Sequence, residues 1–196
     1  MNEPAVFAAG LLLGFSLVIP PGPMNALIAA RSTLALRAGI ATGLGAMAAD
    51  AVLAILVYVL HSVVDLGPVV RWVEAAGAVI MGVFAYRVLV APSAGDGGTT
   101  PPHVRIFSEA FLVGVTNPFQ VVWWLTAGLA FAYLGGALLL GGLFGAIAVW
   151  VVVFPYAVHR GARASPRLPR AITLISGALL AAFAAYFALL AIGFSL

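Results

Sequence analysis

Long apolar runs, broken by arginines, prolines and glycine-rich turns, make up nearly the whole sequence. They are continuous rather than alternating with period two, so they read as helices and not as strands of a membrane barrel. With charges and turn residues as boundaries, they predict six helices: Ala5–Ala30, Gly39–Leu60, Val69–Val90, Phe107–Tyr133, Gly135–Val158 and Ala171–Phe194. Each is long enough to cross a hydrocarbon core about 30 Å thick, which takes roughly 20 residues. The one long connection, Pro92 to His103, is built of Gly, Pro and small polar residues and reads as a flexible linker. The chain divides there into a first three-helix repeat over 1–91, a linker over 92–106 and a second three-helix repeat over 107–196.

The two halves resemble each other at an offset of 100 residues. Phe7 meets Phe107, Gly14 meets Gly114, Gly45-Ala46 meets Gly145-Ala146, and Gly77-Ala78 meets Gly177-Ala178. About fifteen pairs are identical where composition alone gives roughly ten. An odd number of spans per half forces the halves to insert in opposite directions. Inverted repeats of this kind recur in secondary transporters, with the substrate site near the midplane between them. The expected fold is therefore an all-α integral membrane protein of six transmembrane helices, arranged as two inverted three-helix repeats.

Composition sharpens this picture. Of 196 residues, 64% are hydrophobic and only 8% charged, against about a quarter charged in a soluble domain. Only a bilayer suits such a surface. All nine basic residues are arginines, and eight of them (31, 37, 87, 105, 160, 163, 167 and 170) fall in or beside the connections after the first, third and fifth helices. The positive-inside rule then places those connections in the cytoplasm, both termini outside and the protein in the cell membrane. This distribution explains the basic balance without nucleic acid. Glu3 stands where a signal peptide would carry a basic residue, so the first apolar run reads as a retained helix. The absence of Cys excludes disulfides, thiolate metal sites and thiol redox chemistry.

Three constellations carry candidate chemistry. The first is Pro20-Pro21-Gly22-Pro23-Met24-Asn25, inside the first helix. Three prolines remove three backbone donors, so the helix breaks and must restart near Met24. Unpaired backbone in hydrocarbon costs several kcal/mol per group, so the break must face protein or a water-filled cavity. The restarting half-helix offers free amides and a positive dipole end to a carboxylate. A plain proline kink is the simpler alternative.

The second constellation is Thr116-Asn117-Pro118-Phe119-Gln120 in the fourth helix, a second break at the corresponding place of the second half. Paired interrupted helices of this kind point to a transporter binding site. The alternative is that Thr116 and Asn117 cap a helix beginning at Pro118. The third is Asp50, 13 residues beyond Arg37 and so roughly 20 Å deeper along its helix. A carboxylate at that depth is costly unless protonated or paired, and it marks a substrate or proton route. Gly39, Gly43, Ala46 and Asp50 share one helical face, so Asp50 points inward along a close-packing stripe. A structural salt bridge is the alternative for it. Gly141 and Gly145 make a similar stripe in the fifth helix.

Other residues read more simply. Trp123 and Trp124 read as helix-packing residues, with lining of the pathway the alternative, Arg71 and Glu74 as a helix pair, and Glu109 as an acid favourable to its helix dipole. His61, His103 and His159 lack metal-ligand spacing, so no metal or other cofactor is expected. No phosphate-binding loop is present for ATP, and the spans hold no nucleophile–base pair, so no enzyme is expected.

Pro21-Gly22-Pro23-Met24-Asn25 with Arg31 and Gly39, Asp50 five residues after Gly45, and Asn117-Pro118 together resemble the signatures of the lysine exporter (LysE) family, in the LysE-RhtB superfamily. The resemblance spans the whole chain. Ala49 stands where the family usually has Gly, and Phe119-Gln120 where many members have Lys and a small residue. The resemblance implies a secondary-active exporter of amino acids or similar small solutes, driven by the proton or membrane potential. The three constellations place substrate at Pro21, Gly22, Pro23, Met24, Asn25, Asp50, Thr116, Asn117, Pro118 and Gln120, with Asp50 also a candidate proton carrier. The alternatives are a divalent-cation exporter of the same superfamily and a non-transporting scaffold subunit. The expected partners are a small-molecule substrate and the lipid bilayer, with a homodimer the assembly considered.

Overall fold

The computed structural model describes residues 3–19, 21–60, 67–90, 101–125, 129–165 and 167–192. Pro20, His61 and most of the predicted linker, residues 91–100, lie outside them, as do the side chains of Arg71 and Glu74. Among the described residues there are eight helices and no strand: α1 Glu3–Val18, α2 Pro23–Leu34, α3 Leu36–Leu60, α4 Gly67–Val90, α5 His103–Val115, α6 Pro118–Trp123, α7 Leu129–Ala164 and α8 Leu168–Ala191. The first and fourth predicted helices are both broken, at 18–23 and at 115–118.

Boundaries moved where caps decide them. α5 starts at His103, inside the predicted linker, because the Pro102 carbonyl accepts from Ile106 N–H and opens the helix early. α2 runs on to Leu34, and a single extended residue, Ala35, separates it from α3. The fourth and fifth predicted helices meet at Gly136. Its φ of 54° is a left-handed conformation that favours glycine, and it interrupts α7 there.

Three stretches, Leu36–Val59, Gly136–Ala164 and Leu168–Leu189, are long and apolar enough to cross a membrane. α1 and α2, bent by 76° at the break, make a fourth if taken as one span, and α4 adds the shorter apolar stretch Ala75–Val90. Lipid supplies no hydrophobic drive between helices, so close backbone approach through small residues has to hold them together. Gly10 and Gly14 of α1 abut Leu139, Leu143 and Ala146 of α7, and Gly142 abuts Phe7. Gly45 of α3 abuts Phe107 and Ala110 of α5, and Gly114 abuts Ala49. Sequence numbers rise together in both pairs, so both pairs are parallel. α3 and α7 cross antiparallel, Gly39 at Pro155 and Gly43 at Val151, and α4 and α8 run antiparallel with Leu89 at Gly177. Of the predicted stripe in the fifth helix, Gly145 does face α1, but its tight partner is Gly142. Gly141 has open space where a side chain would go.

Candidate functional site

The elements converge on a cavity of about 330 Å³. Its wall is the end of α1, the start of α2, the Gly43–Ala46–Asp50 face of α3, α6, the stretch of α7 around Trp150, and Phe183 of α8. Both helix breaks open onto it.

At the first break, Gly22 is fully extended and Pro23 takes the first position of α2, where its missing N–H costs nothing. The Gly22 carbonyl accepts from Ala26 N–H at 2.9 Å and starts the new helix. Asn25 braces the break. Its Nδ2 donates back to the Val18 carbonyl, one of those freed where α1 ends, and its Oδ1 accepts from Trp150 Nε1 at 3.1 Å.

The second break is built differently. Asn117 caps α6, its Oδ1 accepting from Phe119 N–H at 3.1 Å, so the capping alternative describes Asn117 correctly. Thr116 does not cap α6; it is the C-cap of α5, where its hydroxyl donates to the Leu112 carbonyl at 2.7 Å. From the cap a relay runs inward. Asn117 Nδ2 donates to Gln120 Oε1 at 3.0 Å, and Gln120 Nε2 donates to Asp50 Oδ1 at 3.0 Å. Trp124 Nε1 donates to that same oxygen at 2.9 Å.

Asp50 is 4% exposed and is held through one oxygen only. Every buried side-chain nitrogen or oxygen among the described residues has a partner. Oδ2, which receives no donor from them, is therefore on the cavity wall rather than buried against protein. Two hydrogen bonds to a charged group, each worth about 1.5–3 kcal/mol, offset part of the cost of placing a carboxylate here and fix its direction. Among the described residues no basic side chain bonds to Asp50, so the salt-bridge alternative does not describe it.

Of the ten residues expected at the site, Pro21 through Asn25, Asp50, Asn117 and Gln120 line the cavity. Thr116 and Pro118 do not. Thr116 is turned back onto α5, and Pro118 is buried where Gly77 of α4 approaches it. Trp123 and Trp124 do pack, in a cluster with Leu143, Phe144 and Ile147, but each does more: Trp123 also lines the cavity and Trp124 also holds the carboxylate. Phe119, Trp150 and Phe183 also line it. Phe119 falls within the second constellation, whereas no sequence pattern pointed to Trp150 or Phe183.

Glu109 also does more than favour a dipole. Arg31 of α2 donates to its Oε2 at 2.6 Å, while Arg87 of α4 and Arg105 of α5 donate to its Oε1 at 3.2 and 3.0 Å. Glu109 and Arg31 are mostly covered, whereas Arg105 is largely exposed. One acid thus ties three helices at the arginine-rich end, with Arg31 one turn beyond the cavity residue Ile28. Glu109→Gln leaves three guanidinium groups facing one another, at an expected cost of about 1–3 kcal/mol. Arg105→Gln removes only an exposed i,i+4 pair, at about 0.3–0.5 kcal/mol. Thermal midpoints in detergent should fall clearly for the first and barely for the second; equal shifts would refute the tie.

The family model for LysE type translocators matches residues 15–191, a span that includes both helix breaks, Asp50 and the whole cavity wall. No curated protein and no solved structure matches the chain. Translocators of this family are membrane exporters of small solutes and not enzymes. With its apolar helices, its matched length and the cavity at its paired breaks, this multi-pass membrane protein belongs to the LysE type translocator family.

Proposed function

We propose that the chain is a secondary-active exporter of amino acids or similar small solutes, coupled to the proton or membrane potential, working by alternating access at this cavity. The observation that carries the reading is Asp50: one oxygen is held by Gln120 and Trp124, and the other faces a cavity where two interrupted helices meet. A substrate ammonium group or a proton suits the open oxygen. The positive dipole end of α2, which opens at Gly22 onto the cavity, suits a substrate carboxylate. Asp50 is the residue at which substrate and proton would compete.

Alternating access needs two halves that can exchange roles. The proposed halves are 1–91 and 107–196, with six spans: α1 with α2, α3, α4, α5 with α6, α7 from Gly136, and α8. Their cross-packing supports inversion. Under the offset of 100, the contact of Gly45 with Phe107 and Phe111 has its counterpart in Gly145 with Phe7 and Leu11. That of Gly114 with Ala46 has its counterpart in Gly14 with Ala146. The corresponding helices α3 and α7, and α4 and α8, run antiparallel, as inversion requires. The end that gathers Arg31, Arg87 and Arg105 is assigned to the cytoplasm of a cell membrane, which puts both termini outside.

The test is uptake of labelled amino acids into proteoliposomes holding only this chain, with and without an imposed proton gradient. Gradient-dependent uptake well above protein-free vesicles is expected. No uptake of any amino acid by folded, inserted protein would sink the reading.

A further inference from the structure

The cavity's chemistry is lopsided. Among the described residues, Asp50 is the only charged one on its wall. The nearest arginine along α2, Arg31, is engaged by Glu109 one turn away. The wall's amides are also committed: both ends of Asn25 and Asn117 are bonded to protein, and Gln120 is bonded on both sides between Asn117 and Asp50. The rest of the wall is mainly apolar surface, including four aromatic side chains: Phe119, Trp123, Trp150 and Phe183. Phe119 and Phe183 meet edge to face at 5.3 Å and are backed by Phe187, so this wall is packed in place.

Each amino-acid side-chain class can be weighed against that wall. A lysine or arginine side chain brings a second positive charge and finds no second carboxylate; an unpaired charge is the costliest group to bury. An acidic side chain meets Asp50 with like charge. A hydroxyl finds side-chain amides that already have partners and, beyond them, only Ser16, whose own hydroxyl is turned onto the Leu13 carbonyl, so it gains little over water. A very small side chain leaves much of about 330 Å³ unfilled. A large apolar side chain satisfies every term, and rings favour offset or edge-on contacts with aromatic walls.

We propose that the exported solute is an amino acid with a large, uncharged apolar side chain, its ammonium group on the open oxygen of Asp50 and its side chain against Phe119, Phe183 and Trp150. This rests on the exporter reading and narrows it. The Phe119 position is central: its ring closes the apolar wall and is held there by Phe183 and Phe187.

The test uses proteoliposomes and labelled L-leucine, with unlabelled competitors in excess. L-phenylalanine and L-methionine are expected to suppress uptake about tenfold or more, and L-lysine, L-arginine and L-threonine to leave it nearly unchanged. Phe183→Ala enlarges the cavity and is expected to raise the ratio of phenylalanine to leucine uptake, a ratio that partial misfolding does not move. Lysine or arginine competing as well as phenylalanine would overturn the proposal and leave the exporter reading standing, as would an unchanged ratio in Phe183→Ala. Transport of no amino acid at all would overturn both.

Discussion

Asp50→Asn is expected to cut amino-acid uptake by roughly 30-fold to several thousandfold while the protein stays folded. The reasoning follows the two oxygens. The introduced asparagine keeps an Oδ1 that can accept from Gln120 Nε2 and Trp124 Nε1, so the hydrogen bonds that reach α3 from Gln120 of α6 and from Trp124 survive. What changes is the atom facing the cavity: an acceptor with charge becomes a neutral donor. An ammonium group there loses its ionic partner, and a proton loses its acceptor. Removing one member of a buried, hydrogen-bonded charge pair costs about 2–5 kcal/mol, and each 1.4 kcal/mol is a factor of ten. Size-exclusion profile and helical circular dichroism should match the parent protein. Uptake within twofold of the parent, with unchanged gradient dependence, would remove Asp50 from the mechanism.

A second large effect falls on assembly. Gly45→Leu should abolish the monodisperse folded protein, and Gly141→Leu should leave it intact. At Gly45 even a methyl group would land on the Phe107 carbonyl oxygen and against Ala110, so α3 and α5 would have to separate. At Gly141 the same methyl group meets nothing within 4 Å. Leucine is a better helix former than glycine by nearly 1 kcal/mol, so intrinsic propensity pushes both variants toward greater stability. Only the crowding differs, and even modest overpacking costs about 1–3 kcal/mol. Size-exclusion chromatography in detergent reads the result. A Gly45→Leu protein as stable as the parent would mean that α3 and α5 do not meet here.

These contrasts show what the sequence could and could not tell. The helix breaks were legible because proline chemistry is local: three prolines within Pro20–Pro23 remove three donors. Asn117-Pro118 pairs a capping side chain with a residue suited to a first helical turn, whereas the lone Pro155 stays inside α7. Asp50 was legible because a lone carboxylate in an apolar run needs an explanation, and its place on the Gly43–Ala46 face gave its direction. Trp124 was not, since an indole in an apolar helix looks the same whether it only packs or also donates; its acceptor lies 74 residues away. The partners of Glu109 are similarly remote, with Arg31 separated by 78 residues and Arg87 by 22. Thr116 misled because its hydroxyl can bond its own helix, and the choice between cavity and backbone depends on the turn that follows. Gly141 and Gly142 differ by one residue, a rotation of about 100° around the helix axis. Spacing identified the stripe, but only the packed structure shows which glycine meets α1.

The central claim is that one cavity at Asp50 is reached in turn from both sides of the membrane. The absence of native cysteine makes that directly measurable. Ile147→Cys places a thiol on the cavity wall and replaces a larger buried side chain, so it introduces no clash. The protein is reconstituted, and a membrane-impermeant maleimide is applied from outside or sealed inside the vesicles. The account predicts labelling from each side, with a transported amino acid changing the two rates in opposite directions. Labelling from one side only, whatever the substrate and gradient, would contradict alternating access at this site.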